Sequence, residues 1–201
     1  MRLIGLTGGI STGKTTVSNY LAEMYPFPIW DADVYSRQAV QPNSPVLQTL
    51  VRRYGTGILL SDGSLNRSQL GNIIFNSLTE RHWVEKQIHP VVRDRFSDNI
   101  TKLQYEAGKN ATAILVIPLL FEAKMTDLVT EIWVISCSPP QQQLRLIQRS
   151  NGSLSAKQAQ ARIDSQMPLE QKCKMADVIL DNSSTLEELW QQVDDAIART
   201  S

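Results

Sequence analysis

Several things are scarce in this chain, and each scarcity excludes something. Its 201 residues include two cysteines and two histidines. Cys137 and Cys173 form no C-x-x-C, and His82 and His89 cannot complete a zinc set with them. A disulfide framework and a structural zinc site are therefore excluded, and free or buried thiols in a reducing compartment are expected. Net charge is also missing, with Lys plus Arg at 20 and Asp plus Glu at 20. That balance argues against a nucleic-acid binder, which shows a broad basic footprint. A neutral protein that holds polyphosphates must instead gather its cations in one place. The longest apolar run, Ala113–Phe121, contains Pro118 and falls well short of the ~20 residues of a membrane span. Met1-Arg2 leads into a short apolar stretch and then into glycines and Lys14, unlike a secretory signal. There is no internal repeat, low-complexity tract or Gly/Ser linker. A cytoplasmic protein without membrane or nucleic-acid partners is expected.

What is present suffices for a core. Hydrophobic residues make up 42% and charged residues 20%, ordinary for a globular chain. Short continuous apolar runs alternate with helical stretches. Leu3–Leu6, Phe27–Trp30, Ile114–Ile117, Ile132–Ile135 and Val178–Leu180 read as five strands covered on both faces. With helices between them, the sheet is expected to be mainly parallel with right-handed crossovers. A helix is expected over Lys14–Met24. The connection from about Ala32 to Ala113 is long and reads as several helices. Ser44-Pro45 opens one, Asn66 caps another through Phe75, and Thr79-Glu80 starts a stretch to about Ala107 that Pro90 kinks or divides. Ser184-x-x-Glu187 is a capping-box pattern for a last helix ending near Arg199.

Gly8-Gly9-Ile10-Ser11-Thr12-Gly13-Lys14-Thr15 fits G-x-x-x-x-G-K-[ST], and it follows an apolar strand and opens a helix. Glycines let backbone N–H groups turn inward around an anion, and the helix N-terminus adds favourable partial charge. Lys14 can bridge the β- and γ-phosphates, and the Thr15 hydroxyl can ligate Mg²⁺. The loop fixes a nucleotide-binding fold, not a reaction. Neither the N-K-x-D nor the D-x-x-G string of a GTPase occurs. Leu119–Glu122 and Val178–Asp181 are only superficial matches to the acidic strand of a motor ATPase.

A small kinase needs the loop, an acidic strand end and a basic lid. Asp31-Ala32-Asp33 ends the second strand, and ligands in open α/β sheets bind at C-terminal strand ends. If that strand lies close to the first, a carboxylate there can face the γ-phosphate. One Asp is expected to cap the next helix and the other, Asp33, to act chemically. Arg145 and Arg149 share a helix face, a polar segment Ser150–Ser153 follows, and Arg162 lies on the next helix. This reads as a lid whose arginines close over phosphates. A nucleoside- or nucleotide-directed kinase and a non-catalytic ATP-dependent regulator share these features.

The ordered set resembles the dephospho-CoA kinase family over nearly the whole chain. The residues are Gly5–Ile10 leading into the loop, Asp31-Ala32-Asp33 with Arg37, Arg67-x-x-Leu70-Gly71 with Ile73-Ile74-Phe75, and His89-Pro90 with Arg93. Pro118–Glu122, Arg149, Ala161-Arg162-Ile163 with Gln166-Met167-Pro168, and Ala176-Asp177 through Asp181-Asn182 complete it. The resemblance implies a P-loop NTPase three-layer α/β fold with a five-stranded mainly parallel sheet, a helical insertion after strand two and a helical lid. It implies one kinase domain with a nucleotide core (1–31, 112–138, 176–201), an acceptor region (32–111) and a lid (139–168). It implies phosphorylation of the ribose 3′-hydroxyl of dephospho-CoA by ATP with Mg²⁺, by a monomer or small homo-oligomer. The catalytic residues would be Asp33, Lys14 and Arg149. Gly9, Ile10, Ser11, Thr12, Gly13, Lys14, Thr15, Thr16 and Arg149 would bind the donor, with Thr15 on the metal. Thr7, Asp33, Arg67, Phe75, His89, Arg93 and Arg162 would bind the acceptor, although His89 reads equally well as a packed helix histidine. Two departures stand out. Ser11-Thr12 replaces the usual Gly-Ser, which tightens the allowed loop geometry. Arg149 is followed by Ser150-Asn151 where Asp is common.

Overall fold

The computed structural model describes residues 1–108 and 110–199. The chain divides into two compact units, Met1–Trp30 with Leu103–Ser201, and Asp31–Lys102.

The first unit is built on a sheet of order β2-β3-β1-β4-β5. The strands are β1 (Arg2–Gly8), β2 (Ile29–Asp31), β3 (Thr112–Val116), β4 (Glu131–Ser136) and β5 (Val178–Asp181). β1 pairs in parallel with β3 on one side and β4 on the other, and β4 pairs in parallel with β5. Alternate residues of the inner strands face one layer of helices. Ile4, Leu6, Ile114, Val116, Trp133 and Ile135 pack with Val17 and Leu21 of α1 (Lys14–Met24) and with Leu189, Val193 and Ala196 of α9 (Leu186–Ala198). Leu115 and Val134, on the alternate phase, are also fully buried. Apolar side chains on both phases explain why these strands read as continuous runs. Strand two does not pair with strand one but lies one strand removed from it, with β3 between them. β2 is a short edge strand with all three residues half-buried, and the better-buried β3 takes the place beside β1.

After β4 come α6 (Pro139–Arg149), α7 (Ala156–Asp164) and the short α8 (Leu169–Lys174). Ser155 caps α7 in a reciprocal capping box with Gln158. The last helix is capped by Thr185, whose hydroxyl accepts from Glu188 N–H at 3.3 Å, not by Ser184. The pattern is shifted by one residue because Asp181 holds Ser183 N–H in a turn that runs on before the helix starts.

The second unit holds α2 (Ala32–Ala39), α3 (Pro45–Tyr54), α4 (Arg67–Phe75) and most of α5 (Leu78–Ala107). Leu47, Leu50, Ile58, Leu65, Leu70 and Val84 form its core. Ser44 and Asn66 cap α3 and α4 as the sequence suggests. Pro90 does not divide α5, which continues through it. The proline is exposed, so its ring faces solvent, and the loss of one backbone donor is carried by the long helical segments on either side.

Candidate active site

The loop between β1 and α1 can form only with glycine at two of its corners. Gly8 has φ 151, and a Cβ there would lie 2.5 Å from the Ile135 carbonyl oxygen. Gly13 has φ 112, and a Cβ there would collide with the Asn182 amide. Gly13 also stands at the N-cap of α1, where no side chain caps the helix. The first-turn N–H groups are therefore left for an anion. Ser11, where a glycine is usual in such loops, also has a positive φ of 60. The tightened geometry expected from the sequence is thus a left-handed serine.

Other groups brace the loop from outside. The backbone of Ile10 is held on both sides. Its N–H donates to Gln166 Oε1 at 2.9 Å, and its carbonyl accepts from Gln142 Nε2 at 3.0 Å. Asn182 Nδ2 donates to the Thr12 carbonyl at 2.8 Å. Two hydroxyls are spent internally: Thr12 donates to the Gly9 carbonyl at 3.0 Å and Thr7 to the Pro118 carbonyl at 3.2 Å. Both threonines are fully buried. Lys14 bends back over the loop, its Nζ donating to the Gly9 and Gly8 carbonyls at 2.6 and 3.2 Å.

Beside the loop lies a cavity of about 500 Å³. Ser11, Gly13, Lys14, Thr15 and Thr16 line one side, and Arg145, Arg149, Asn182 and Leu186 the other. Thr15 is exposed on the first turn of α1. Arg145 is anchored by Nη2 to the Asn182 carbonyl at 3.0 Å, while its buried Nη1 has no partner. Arg149, on the last turn of α6, is exposed. Arg162 is exposed on α7. Burial pushes the Cys137 thiol up, with Arg145 opposing, so this cysteine is no nucleophile at neutral pH.

The candidate lid segment and the helix after it are tied to the phosphate loop and to the segment that follows β3. Leu146, Leu154 and Ala159 pack with Ile10, Ile147 and Ile163. Lys172 of α8 is fully buried, 2.9 Å from Glu122 and 3.1 Å from the Pro118 carbonyl. Glu122 also accepts Met167 N–H at 3.0 Å. Glu122 and Asp181, the two superficial strand-end acids, are thus an ion-pair partner and a turn cap.

In the second unit, Asp31 Oδ1 accepts the Asp33 N–H at 2.7 Å and caps α2. Burial raises the Asp31 pKa, opposed by that hydrogen bond, and the charge of Asp33 adds to the rise. Asp33 itself is exposed in the first turn. Arg67 and Phe75 open and close α4, both exposed, with Phe75 at 63%. His89 and Arg93 stand one turn apart on α5, both half-buried. Burial lowers the His89 pKa, with Glu85 opposing, so the imidazole is neutral at pH 7.

The sequence gives no role to Gln142, carries Gln166 and Asn182 only within the family pattern, and places Arg145 with Arg149 among the lid arginines. Gln142 and Asn182 are among the few buried polar residues of the described chain. Their signal was weak: a glutamine within a polar helix and an asparagine after a strand resemble surface.

The chain has close relatives. Residues 2–188 match the family model for dephospho-CoA kinase. A dephospho-CoA kinase of Trichormus variabilis is 56% identical over 196 residues, covering 98% of this chain and 96% of its own. One of Synechocystis is 53% identical over 192 residues, covering 96% and 92%. The solved dephospho-CoA kinase of Campylobacter jejuni superposes with a TM-score of 0.73 at 26% identity, covering 100% of this chain and 98% of its own. A shikimate kinase of Bacteroides thetaiotaomicron shares the fold alone, with a TM-score of 0.55 at 14% identity over 98% and 97% of the two chains. The family match spans both the glycine loop with its facing arginines and the helical unit that begins at Asp31, and the chain belongs to the dephospho-CoA kinase family.

Proposed function

We propose that this chain transfers the γ-phosphoryl group of ATP to the ribose 3′-hydroxyl of dephospho-CoA, giving coenzyme A and ADP. The observation that carries the reading is the cavity in which an uncapped helix N-terminus, Lys14, Arg145 and Arg149 converge. This is the concentration of cations that a neutral chain needs in order to hold a polyphosphate.

Lys14 exchanges the Gly8 and Gly9 carbonyls for phosphate oxygens when the donor enters. Arg149, exposed at the end of α6, neutralises charge that develops on the transferring group, and Arg162 supports it from α7. Asp31 is occupied as a helix cap, which leaves Asp33 to orient the acceptor hydroxyl and take its proton. A bond forms between that oxygen and the γ-phosphorus as the bond to the β–γ bridging oxygen breaks. The transition state is loose, so orientation matters more than basicity. Arg67 and Arg93 supply charge for the acceptor's diphosphate. Phe75 offers an exposed ring, and neutral His89 a hydrogen-bonding face.

Thr15 would hold Mg²⁺. Its exposed hydroxyl lines the cavity, and a hard cation that keeps several waters needs only one or two protein oxygens. When bound, the ion neutralises charge on the β- and γ-phosphate oxygens. Among the described residues no helix is long and apolar enough to cross a membrane. Free Cys137 and Cys173 suit the reducing cytoplasm, where we place the reaction. Purified protein with Mg-ATP, offered dephospho-CoA or nucleoside monophosphates, tests the reading. ADP release is expected with dephospho-CoA, and failure of dephospho-CoA to stimulate it would refute the assignment.

A further inference from the structure

We infer that the Ser11 hydroxyl is a phosphate ligand of the donor nucleotide, a side-chain contact added to those of the loop backbone. This rests on reading the cavity as the ATP site, and it deepens that reading. Ser11 has φ 60, a left-handed conformation that glycine adopts freely and a residue with a Cβ does not. Strain of this kind persists where the surrounding structure enforces it, and it clusters at ligand clamps. A serine held there must be compensated, or the position would be better filled by glycine.

The hydroxyl itself points to the compensation. Ser11 Oγ is buried and has no hydrogen-bond partner. The neighbouring hydroxyls differ, since Thr12 is spent on the Gly9 carbonyl and Thr7 on the Pro118 carbonyl. A buried donor left unpaired is costly unless a ligand completes it. Among the described residues one other buried side-chain polar atom lacks a partner, Arg145 Nη1. It belongs to the same cavity, which Ser11 and Arg145 line together with Lys14 and Gly13.

Two unspent donors beside a lysine and a helix N-terminus call for a ligand that is rich in acceptors and negatively charged. A phosphate group is both. Lys14 now covers the loop, with its amine on the Gly8 and Gly9 carbonyls. A phosphate that draws Lys14 away from those carbonyls enters the cavity that Ser11 lines and offers its hydroxyl an acceptor oxygen.

Two substitutions separate the hydroxyl from the backbone. Ser11→Ala removes the donor and keeps the Cβ, whereas Ser11→Gly removes both and relieves the left-handed strain. ATP affinity is measured by calorimetry, and apo stability by thermal melting. Both variants are expected to bind ATP about 10-fold more weakly, the scale of a hydrogen bond to a charged group. Ser11→Gly is expected to melt higher than the parent without nucleotide. The inference is overturned if Ser11→Ala binds ATP within about twofold of the parent. It is equally overturned if only Ser11→Gly binds weakly, because loop stiffness would then be the cause. In either case a parent protein that still turns over dephospho-CoA leaves the kinase reading standing. A parent protein that binds no ATP removes both.

Discussion

The carboxylate of Asp31 accepts the backbone N–H of Asp33 at 2.7 Å. One acid of the Asp-Ala-Asp triplet is therefore committed to starting α2, and the second stands exposed in its first turn. The two substitutions should separate cleanly. Asp31→Asn keeps an oxygen acceptor at the cap and should retain most activity, while Asp31→Ala should cost about 1 kcal/mol of stability. Asp33→Asn should melt like the parent and lose about 10²–10⁴ in kcat. Parallel melting and steady-state kinetics on the three variants make the comparison. Near-normal turnover in Asp33→Asn would remove that residue from the chemistry.

Lys172 and Glu122 should respond unequally to truncation. Lys172 is fully buried and meets Glu122 at 2.9 Å. Glu122→Ala leaves a buried ammonium with only the Pro118 carbonyl, a loss of about 3 kcal/mol. Lys172→Met removes the charge and fills similar volume, so it should destabilise less. Denaturant midpoints of the two variants check this order, and a greater loss in Lys172→Met would contradict it.

Asn182 should matter to both stability and nucleotide. Its amide serves the Thr12 carbonyl, and its own carbonyl anchors Arg145. Asn182→Ala leaves the Thr12 oxygen unsatisfied, worth about 1–3 kcal/mol, and frees the loop behind Gly13. A lower melting temperature together with a raised KM for ATP is expected. A lower melting temperature with an unchanged KM would show the brace to be purely structural.

The second unit should carry its own pH dependence. Glu80 accepts from Arg53 at 2.7 and 2.8 Å and from the Tyr54 hydroxyl at 2.6 Å. Those bonds, Arg53 first, lower its pKa from 4.5 to about 2. A depressed carboxylate stabilises above its unfolded pKa, so this contribution is complete above 4.5 and fades as pH falls to about 2. Burial first, and then the bond to Glu80, raise the Tyr54 pKa from 10.0 to about 12. A raised phenol stabilises below its unfolded pKa, so this part fades as pH climbs from 10.0 to about 12. Glu80→Gln should flatten the acid limb and, because burial of Tyr54 remains, only reduce the alkaline one. Urea midpoints across pH, followed by circular dichroism, read both limbs.

The sequence disclosed most where local chemistry decides the outcome. The α1 boundaries, the caps at Ser44 and Asn66, and the glycine corners of the loop follow from residue type and spacing alone. So does a cost at Ser11, since the loss of a glycine from such a loop leaves a side chain where φ is positive. Long-range pairing was less legible. The place of β2 at the sheet edge depends on competition with β3 for the side of β1, which no short window contains. The glutamines that hold the Ile10 backbone lie 132 and 156 residues away in sequence. A buried Gln142 reads as one more polar residue in a glutamine-rich helix. Asp31 and Asp33 show the intermediate case. The sequence leads one to expect one cap and one chemical acid, and the hydrogen bond shows that Asp31 is the cap.

The central claim is the identity of the acceptor, and product analysis tests it most directly. Purified chain, Mg-ATP and dephospho-CoA are incubated, and the phosphorylated product is located by ³¹P NMR and mass while ADP is followed. Stoichiometric ADP with a new monoester at the ribose 3′ position is predicted, and both should be lost in Lys14→Ala. ADP release that ignores dephospho-CoA, or a phosphate on any other hydroxyl, would contradict it.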